Sequence, residues 1–330
     1  MPTTFRSLAI AWAVCLTIVL GGITILEATY DPEANQPAEV TENPVGEEVD
    51  SGPTAPPFRP IPVQASEDFL EISDQGPLPI VSSSGERSSE YYAATPIMAP
   101  DAAKIAIIVT DMGMQSRRTR RALAEMPDNT TFAFSPFGQG NSGWAEQARR
   151  DNHEVLLMVP MEPINYPQDD PGVLTLLVTN PPDQNLRWLR ESLSKATGYV
   201  GVLSHKGSRF TAAIDSMRPI MRELAGRGVM YVDSQDSQYT VGPELAANAG
   251  IPFAVNSRIG FLDEEPSAAV ISERLDELER MAKRTGSAVG IIRPLPVSMN
   301  AVSIWAGGLE SRGAVLVPIS QVAGLQSIEP

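Results

Sequence analysis

The stretch Lys104 to Gly113, KIAIIVTDMG, decides how the rest of the chain is read. Five apolar residues, mostly β-branched, run unbroken from Ile105 to Val109 and stop at Thr110 and Asp111. That is the pattern of a strand buried on both faces, with a carboxylate at its exit. Helix-compatible sequence follows directly (SRRTRRALAEM, Ser116 to Met126), so the unit reads as β-turn-α. In folds made of such units, ligands collect where strands end.

Working outward, the same strand pattern is expected at Thr130 to Phe134, Glu154 to Val159, Tyr199 to Leu203, Val229 to Val232, Pro252 to Val255, Ala288 to Ile292 and Ala314 to Val317. Amphipathic runs lie between most of them. The clearest places Ile271, Leu275, Leu278 and Ala282 on one helix face within a charged stretch, a stripe that reads as core. Repeated β-α units over residues 101 to 330 predict an α/β domain with a parallel sheet covered by helices. The periodicity leaves open whether that sheet closes into a barrel or stays open and doubly wound.

Upstream the chain changes character. Leu8 to Leu26 carries no charge for about nineteen positions, the length of a transmembrane helix. Arg6 precedes it and Glu27, Asp31 and Glu33 follow, which by the positive-inside rule leaves the remainder outside the cytoplasm. A cleaved signal peptide is the alternative, but the run is long for one and lacks a good small-residue cleavage site. Residues 1 to 26 are therefore read as a membrane anchor. From Glu27 to Pro100, proline, glutamate, serine and glycine dominate with no lasting period, which predicts a disordered linker. As a coil it would span on the order of 50 Å. Within it, Leu78 to Ser82 is strand-like enough to dock on the following domain.

A formal charge of -15 argues against a phosphate-binding nucleic-acid surface. Arg117, Arg118, Arg120 and Arg121 fit a solvated helix face, and the single cysteine, Cys15, excludes an intrachain disulfide.

Past each expected strand stands a polar or proline-rich turn, and the series would bring Asp111, Glu162, His205, Asp233 and Arg293 toward one pocket. The chain has two histidines. His205 closes its strand among Gly201, Gly207 and Ser208, a setting for a ligand role, whereas His153 opens its strand and reads as structural. Asp111 with His205 would suit a divalent metal such as zinc with an open position for water, the third ligand being Asp233 or Glu162. Spacing does not choose between those two. Paired carboxylates for glycoside hydrolysis can be drawn from Asp111, Glu162 and Asp233, without specificity. No G-x-S-x-G elbow is present, and the turn at Asp111 has too few glycines for a dinucleotide or phosphate loop.

In order along the chain, IVTDMG, HEVLLMVPMEP, DPGVLTLL, GVLSHKGSRFT, VDSQDS, GFLDEE and GIIRP resemble the divergent polysaccharide deacetylase family from Lys104 to about Gln321. The resemblance implies a distorted (β/α) barrel of the carbohydrate deacetylase type, usually placed outside the cytoplasm. Residue by residue, the family's I-D-D-x-G is Val109-Thr110-Asp111-Met112-Gly113, so the acid expected to act as general base is Thr110, and the metal-binding acid is Asp111. The second histidine of H-E-V-L-x-H is Met158, N-H-M-G-S is Ser204-His205-Lys206-Gly207-Ser208, D-S-x-T is Asp233-Ser234-Gln235-Asp236, and the last histidine is Arg293. The losses at Thr110, Met158 and Arg293, with Lys206 added, predict a pocket that chelates poorly and is more positive.

Two functions follow. One is a metal-assisted carbohydrate deacetylase in carbohydrate metabolism, with Asp111 and His205 on the ion and Asp233 or Glu162 moving the proton. The other is an inactive, deacetylase-like domain, without metal, that binds an N-acetylated or anionic envelope glycan or an envelope protein through Lys206, Ser208 and Arg293. Either would sit single-pass in the inner membrane with its C-terminal domain in the periplasm. Phe137, Trp144, Tyr166 and Phe210 are candidate aromatic residues for the pocket mouth.

Overall fold

In the computed structural model, residues 59–257 and 260–325 are described, and they fall within one compact unit, Ala55–Pro330. The expected membrane segment, Leu8 to Leu26, and the linker up to residue 58 lie outside the described residues. Among the described residues no helix is long and apolar enough to cross a membrane.

Eight parallel strands form the body: β3 (Ala103–Met112), β4 (Thr131–Phe134), β5 (Val155–Met161), β6 (Gly201–Lys206), β7 (Met230–Asp233), β8 (Phe253–Val255), β9 (Ser287–Ile292) and β10 (Ala314–Leu316). Every expected strand is found, with ends moved by no more than three residues. β3 is the hub because it is long enough to serve three partners. β9 runs along Lys104 to Val109 on one side; on the other, β10 pairs with its first residues and β4 with its last. β4 through β8 then follow in sequence order. The remaining gap is bridged without a ladder: Ser257 N donates to Val289 O (2.9 Å), Val289 N to Ser257 Oγ (3.1 Å) and Leu262 N to Ile291 O (2.9 Å). The sheet is thus a nearly closed barrel, which decides between the two architectures left open by periodicity.

Side-chain alternation explains the unbroken apolar runs. Ile105, Ile107 and Val109 face the helices, while Ala106 and Ile108 face the barrel interior. The stripe Ile271, Leu275, Leu278, Ala282 is the fully buried side of the helix Ala268–Thr285. That helix lies close to β9 at Gly290, where a Cβ would stand 2.8 Å from both Leu262 and Leu278 side-chain carbons. The four arginines of helix Ser116–Glu125 are exposed, as a solvated face requires.

Residues 59–100 correct the expected linker. They form an antiparallel hairpin, β1 (Leu70–Ser73) with β2 (Gly76–Pro79), and a one-turn helix, α1 (Ser88–Tyr91). Ile61, Phe69, Tyr92 and Ala94 are buried in the same cluster as the barrel interior, together with Val315, Val317, Ile319 and Val322 from the C-terminal end. Segments 59–100 and 314–322 therefore cover the mouth at the strand N-termini. Arg149, 2% exposed, holds the N-terminal segment there, donating to the carbonyls of Pro62, Val63, Thr197 and Gly198 at 2.9–3.0 Å. Glu154, also buried, accepts from Ala94 N (2.9 Å) and from the backbone N–H (3.0 Å) and hydroxyl of Ser320. Burial pushes its carboxyl up, and those hydrogen bonds pull it back. Apolar anchors scattered this widely show no period of their own. They need none, because the barrel supplies the other half of their core.

A chain starting at residue 101 would leave that mouth bare. At about 1.5–3 kcal/mol for each large apolar side chain, losing Ile61, Phe69, Leu78 and Tyr92 costs several kcal/mol. We expect a chain starting at residue 55 to unfold cooperatively in urea, and one starting at 101 to aggregate or melt at a much lower midpoint.

Candidate functional site

The barrel's apolar interior ends toward the strand C-termini in a polar layer. Two residues beyond inward-facing Ile108, Ala133, Leu203, Val232 and Ala254 come Thr110, Ser135, His205, Ser234 and Asn256. All but His205 are buried. Asn256 Oδ1 has no hydrogen-bond partner among the described residues, although its Nδ2 donates to Ser234 O (3.1 Å). This layer lies beneath the loops that follow the strands, at the barrel end where ligands bind in such folds.

Asp111 joins it through a bulge. The β3–β4 register shifts between Val109 and Met112, and Asp111 has φ 55°, a left-handed conformation that aspartate tolerates better than most residues. Thr110 Oγ1 donates to Ile292 O (3.2 Å) and lies 3.4 Å from Asp111 Oδ2. The Asp111 N–H meets Met158 Sδ at 3.3 Å. Lys206 and Gln235, at the ends of β6 and β7, are left-handed as well (φ 60° and 55°), so three strand exits carry the strain that clusters at functional sites.

His205 is partly exposed, and its ring has no hydrogen-bond partner among the described residues. Desolvation by the surrounding protein holds its pKa below the usual imidazole range; Asp111 and Asp169 pull it up and Lys206 pushes it down. It is therefore neutral near pH 7. Lys206 Nζ is bonded to Asp169 Oδ1, from the loop after β5. Asp236 accepts from Ser234 Oγ, which in turn lies 3.0 Å from Ser204 Oγ. Its outer side is exposed, yet enough protein surrounds the carboxyl that desolvation raises it to about 6, against Ser234 and Lys206, with Asp233 and Asp169 adding to the rise.

Other expected site residues are engaged elsewhere. Asp233 follows inward-facing Val232 and so points to the outer layer, where Oδ1 accepts from Gln235 N (2.7 Å) and Oδ2 from Tyr231 OH (2.9 Å) and Thr240 Oγ1 (2.7 Å). Burial raises its pKa. Glu162 is also buried: Oε1 pairs with Arg209 (2.8 Å) and Oε2 accepts from Val178 N (2.6 Å), tying the loop after β5 to the loop after β6. Ser208 Oγ accepts from Ile164 N (2.9 Å) in the same seam. Arg293 is clamped on the fully buried Asp263, whose Oδ1 takes Nε (3.3 Å) and whose Oδ2 takes the Arg293 N–H (2.9 Å) and Ser298 Oγ (2.7 Å). The pocket is consequently not the positive one expected: Lys206 and Arg293 each come with an acid. His153 is structural, its Nδ1 2.9 Å from Thr130 O and its ring edge-on to Phe132. Phe210 is core and Trp144 packs on the core, whereas Phe137 and Tyr166 are half-buried in the loops.

These donors do not fit a three-ligand metal centre. Asp111 and His205 face the pocket, but Asp233 and Glu162 do not, and the uncharged, buried thioether of Met158, where the family has a histidine, already meets the Asp111 N–H. Among the described residues no three Asp, Glu, His or Cys side chains converge to hold an ion. Asp169, Asp236 and Asp263 went unnoticed in the sequence. Asp236 had a signal there, standing where the family motif has threonine, and Asp263 another, lying in the GFLDEE stretch.

Asp233→Ala would strand three donors, and at about 1–3 kcal/mol for an unsatisfied buried group we expect a loss of roughly 2–4 kcal/mol in urea unfolding. Asp236 should titrate near 6 by carbon-detected NMR. Because its folded pKa lies above the ordinary carboxylate value, its contribution favours the fold at low pH and is lost as pH rises from about 4 to about 6.

Comparison with known proteins agrees with this geometry. The divergent polysaccharide deacetylase profile matches residues 107–323. The uncharacterised protein YibQ of Escherichia coli K12 is 26% identical over 201 residues, 61% of this chain and 61% of YibQ, and a Haemophilus influenzae protein is 23% identical over 212 residues, 63% of this chain and 71% of that one. The chain thus spans about three fifths of the length of the first curated relative it matches. A crystal structure of an uncharacterised Agrobacterium tumefaciens C58 protein superposes with TM-score 0.71 at 33% identity, covering 74% of this chain and 98% of that one. With most of the barrel inside the matched residues, the chain belongs to the divergent polysaccharide deacetylase family.

Proposed function

We propose that this domain binds a neutral, N-acetylated envelope glycan in the pocket at the strand C-termini and does not hydrolyse it. One observation carries the reading: of the groups that would hold and work an ion, only Asp111 and His205 face the pocket, while Asp233 and Glu162 are spent on loop architecture. Thr110, in the place of the family's base, has a hydroxyl that cannot take a proton near neutral pH. The floor still carries polar groups of the kind that meet sugar hydroxyl and acetamido groups, with the partly exposed His205 above buried Thr110, Ser135, Ser234 and Asn256. Met114, Ile164, Val173, Ile214 and Tyr239 are exposed on segments that follow the strand C-termini.

Charge narrows the ligand. Lys206 is balanced by Asp169 and Arg293 by Asp263, which leaves Asp111 and Asp236 to set the sign. An anionic glycan would meet carboxylates, so the neutral N-acetylated class is favoured over the acidic one. The apolar segment Leu8 to Leu26, with Arg6 before it and acids after it, supports an inner-membrane anchor presenting the domain to the periplasm.

A metal-assisted deacetylase is the second reading, favoured by the retained Asp111 and by the electrostatic coupling of that acid to His205. Calorimetry with N-acetylglucosamine oligomers, beside an acetate-release assay on the same full chain, separates the two. We expect saturable binding with no acetate above the uncatalysed background, and His205→Ala to weaken binding about tenfold, as loss of one or two hydrogen bonds would. Turnover of acetate, or no binding at all, would reject the first reading.

A further inference from the structure

A cleft of about 580 Å³ opens at the strand N-termini, the end of the barrel away from Asp111 and His205. Met230, the first residue of β7, and Pro252, just before β8, line it from the barrel. Segment 59–100 contributes Arg59, part of α1 and Ala93 to Pro96, and the C-terminal segment contributes Ser320, Gln321 and Ala323. These two segments are fastened to each other. Gln321 Nε2 donates to Ile97 O (2.7 Å) and its Oε1 accepts from Ile97 N (2.8 Å), while buried Glu154 accepts from both Ala94 N and Ser320 N. The cleft is therefore preformed, and its volume is that of a small-molecule site.

Two charged side chains line it, Arg59 and Glu90, and neither has an oppositely charged partner among the described residues. Arg59 Nη2 donates to Tyr91 O (3.2 Å), and the guanidinium lies 5.1 Å from the centre of the Tyr91 ring. Glu90, one residue earlier, uses Oε2 to accept Arg87 N (3.2 Å). Opposite charges held beside the same tyrosine, yet not bonded to each other, suit a ligand that carries both signs. The rest of the lining is largely small and apolar, with Ala93, Ala94, Pro96 and Ala323 around Met230, which admits short apolar side chains. Ser89 lines the cleft as well; it is 6% exposed and its hydroxyl has no hydrogen-bond partner among the described residues, a cost that a polar ligand group would remove.

We propose that this cleft is a second binding site, for a short free peptide of small apolar residues, its carboxylate on Arg59 and its ammonium on Glu90. The planar fork of arginine matches a carboxylate. A neutral glycan would leave both charges unanswered, and a terminus of a long polypeptide would answer one of them. The proposal does not rest on the glycan reading, because the two sites are at opposite ends of the barrel.

Trialanine is the probe. The full chain is titrated by calorimetry with trialanine and with its N-acetylated and its C-amidated forms. We expect saturable binding of one trialanine per chain, and each cap to weaken it about fivefold, the yield of one partly exposed ion pair. N-acetylation should cost nothing further in Glu90→Gln, nor amidation in Arg59→Gln, and Arg59→Lys should regain part of the loss. Absence of saturable binding overturns the proposal, as do caps without effect on wild type, a test that needs no variant to fold. Caps that cost as much in the matching folded variant as in wild type overturn it too. Competition by N-acetylglucosamine oligomers would put the peptide at the other end of the barrel and reject the second site, whatever the acetate assay shows.

Discussion

The site depends on a single departure from strand geometry. β3 is central to the barrel and pairs on both sides up to Val109; had it continued regularly, Thr110 would face in and Asp111 would face the helices. The bulge, with Asp111 at φ 55°, puts two consecutive residues at the pocket. Such a conformation costs of order 1–3 kcal/mol and persists only where surrounding structure over-determines it. Here Thr110 is fixed through Ile292 O and the Asp111 amide through Met158 Sδ. Keeping the bulge while one of its two side chains is a threonine leaves a bent strand end with a single carboxylate, Asp111.

The opposite mouth carries the complementary constraint. A barrel this small is packed solid, and the N-terminal ends of its strands need a lid. Arg149 and Glu154, both buried, provide it by fastening segments 59–100 and 314–322 through backbone groups. A buried ion without a countercharge is expensive. Arg149 meets that cost with several carbonyl acceptors and the face of Tyr92 at 5.8 Å, and Glu154 with three donors and a raised pKa. Stability thus sits at one end of the barrel and strain at the other, the division expected of α/β barrels.

The strands were legible because a β-branched run buried on both faces reads the same whatever it packs against. The segment 59–100 was not, since Ile61, Phe69 and Tyr92 acquire a core only from the barrel, and composition counts only what a segment can bury alone. The pocket was half legible. Alternation alone places His205 and Ser234 inward and Asp233 outward, so counting from Val232 would have removed Asp233 from the candidates. Glu162, Arg293 and Lys206 are different: their partners Arg209, Asp263 and Asp169 lie 47, 30 and 37 residues away, and nothing local announces such pairs.

Those distant partners change what the substitutions mean. Read from the sequence, losing imidazoles at Met158 and Arg293 and adding Lys206 makes the pocket positive. In the fold each cation arrives with its own acid, and the trade leaves the charge of the mouth slightly negative while removing its capacity to chelate. Arg293 is the more deeply committed of the two, because Asp263 also orders the N-terminus of the helix Pro296–Ala306 through Ser298. Lys206 is held by one exposed aspartate at the tip of a loop. A surface pair of that kind is worth about 1 kcal/mol or less, so a ligand carbonyl can compete for the ammonium without breaking the fold. The two cations are thus unequal, one built into the architecture and the other held by a single pair near the surface.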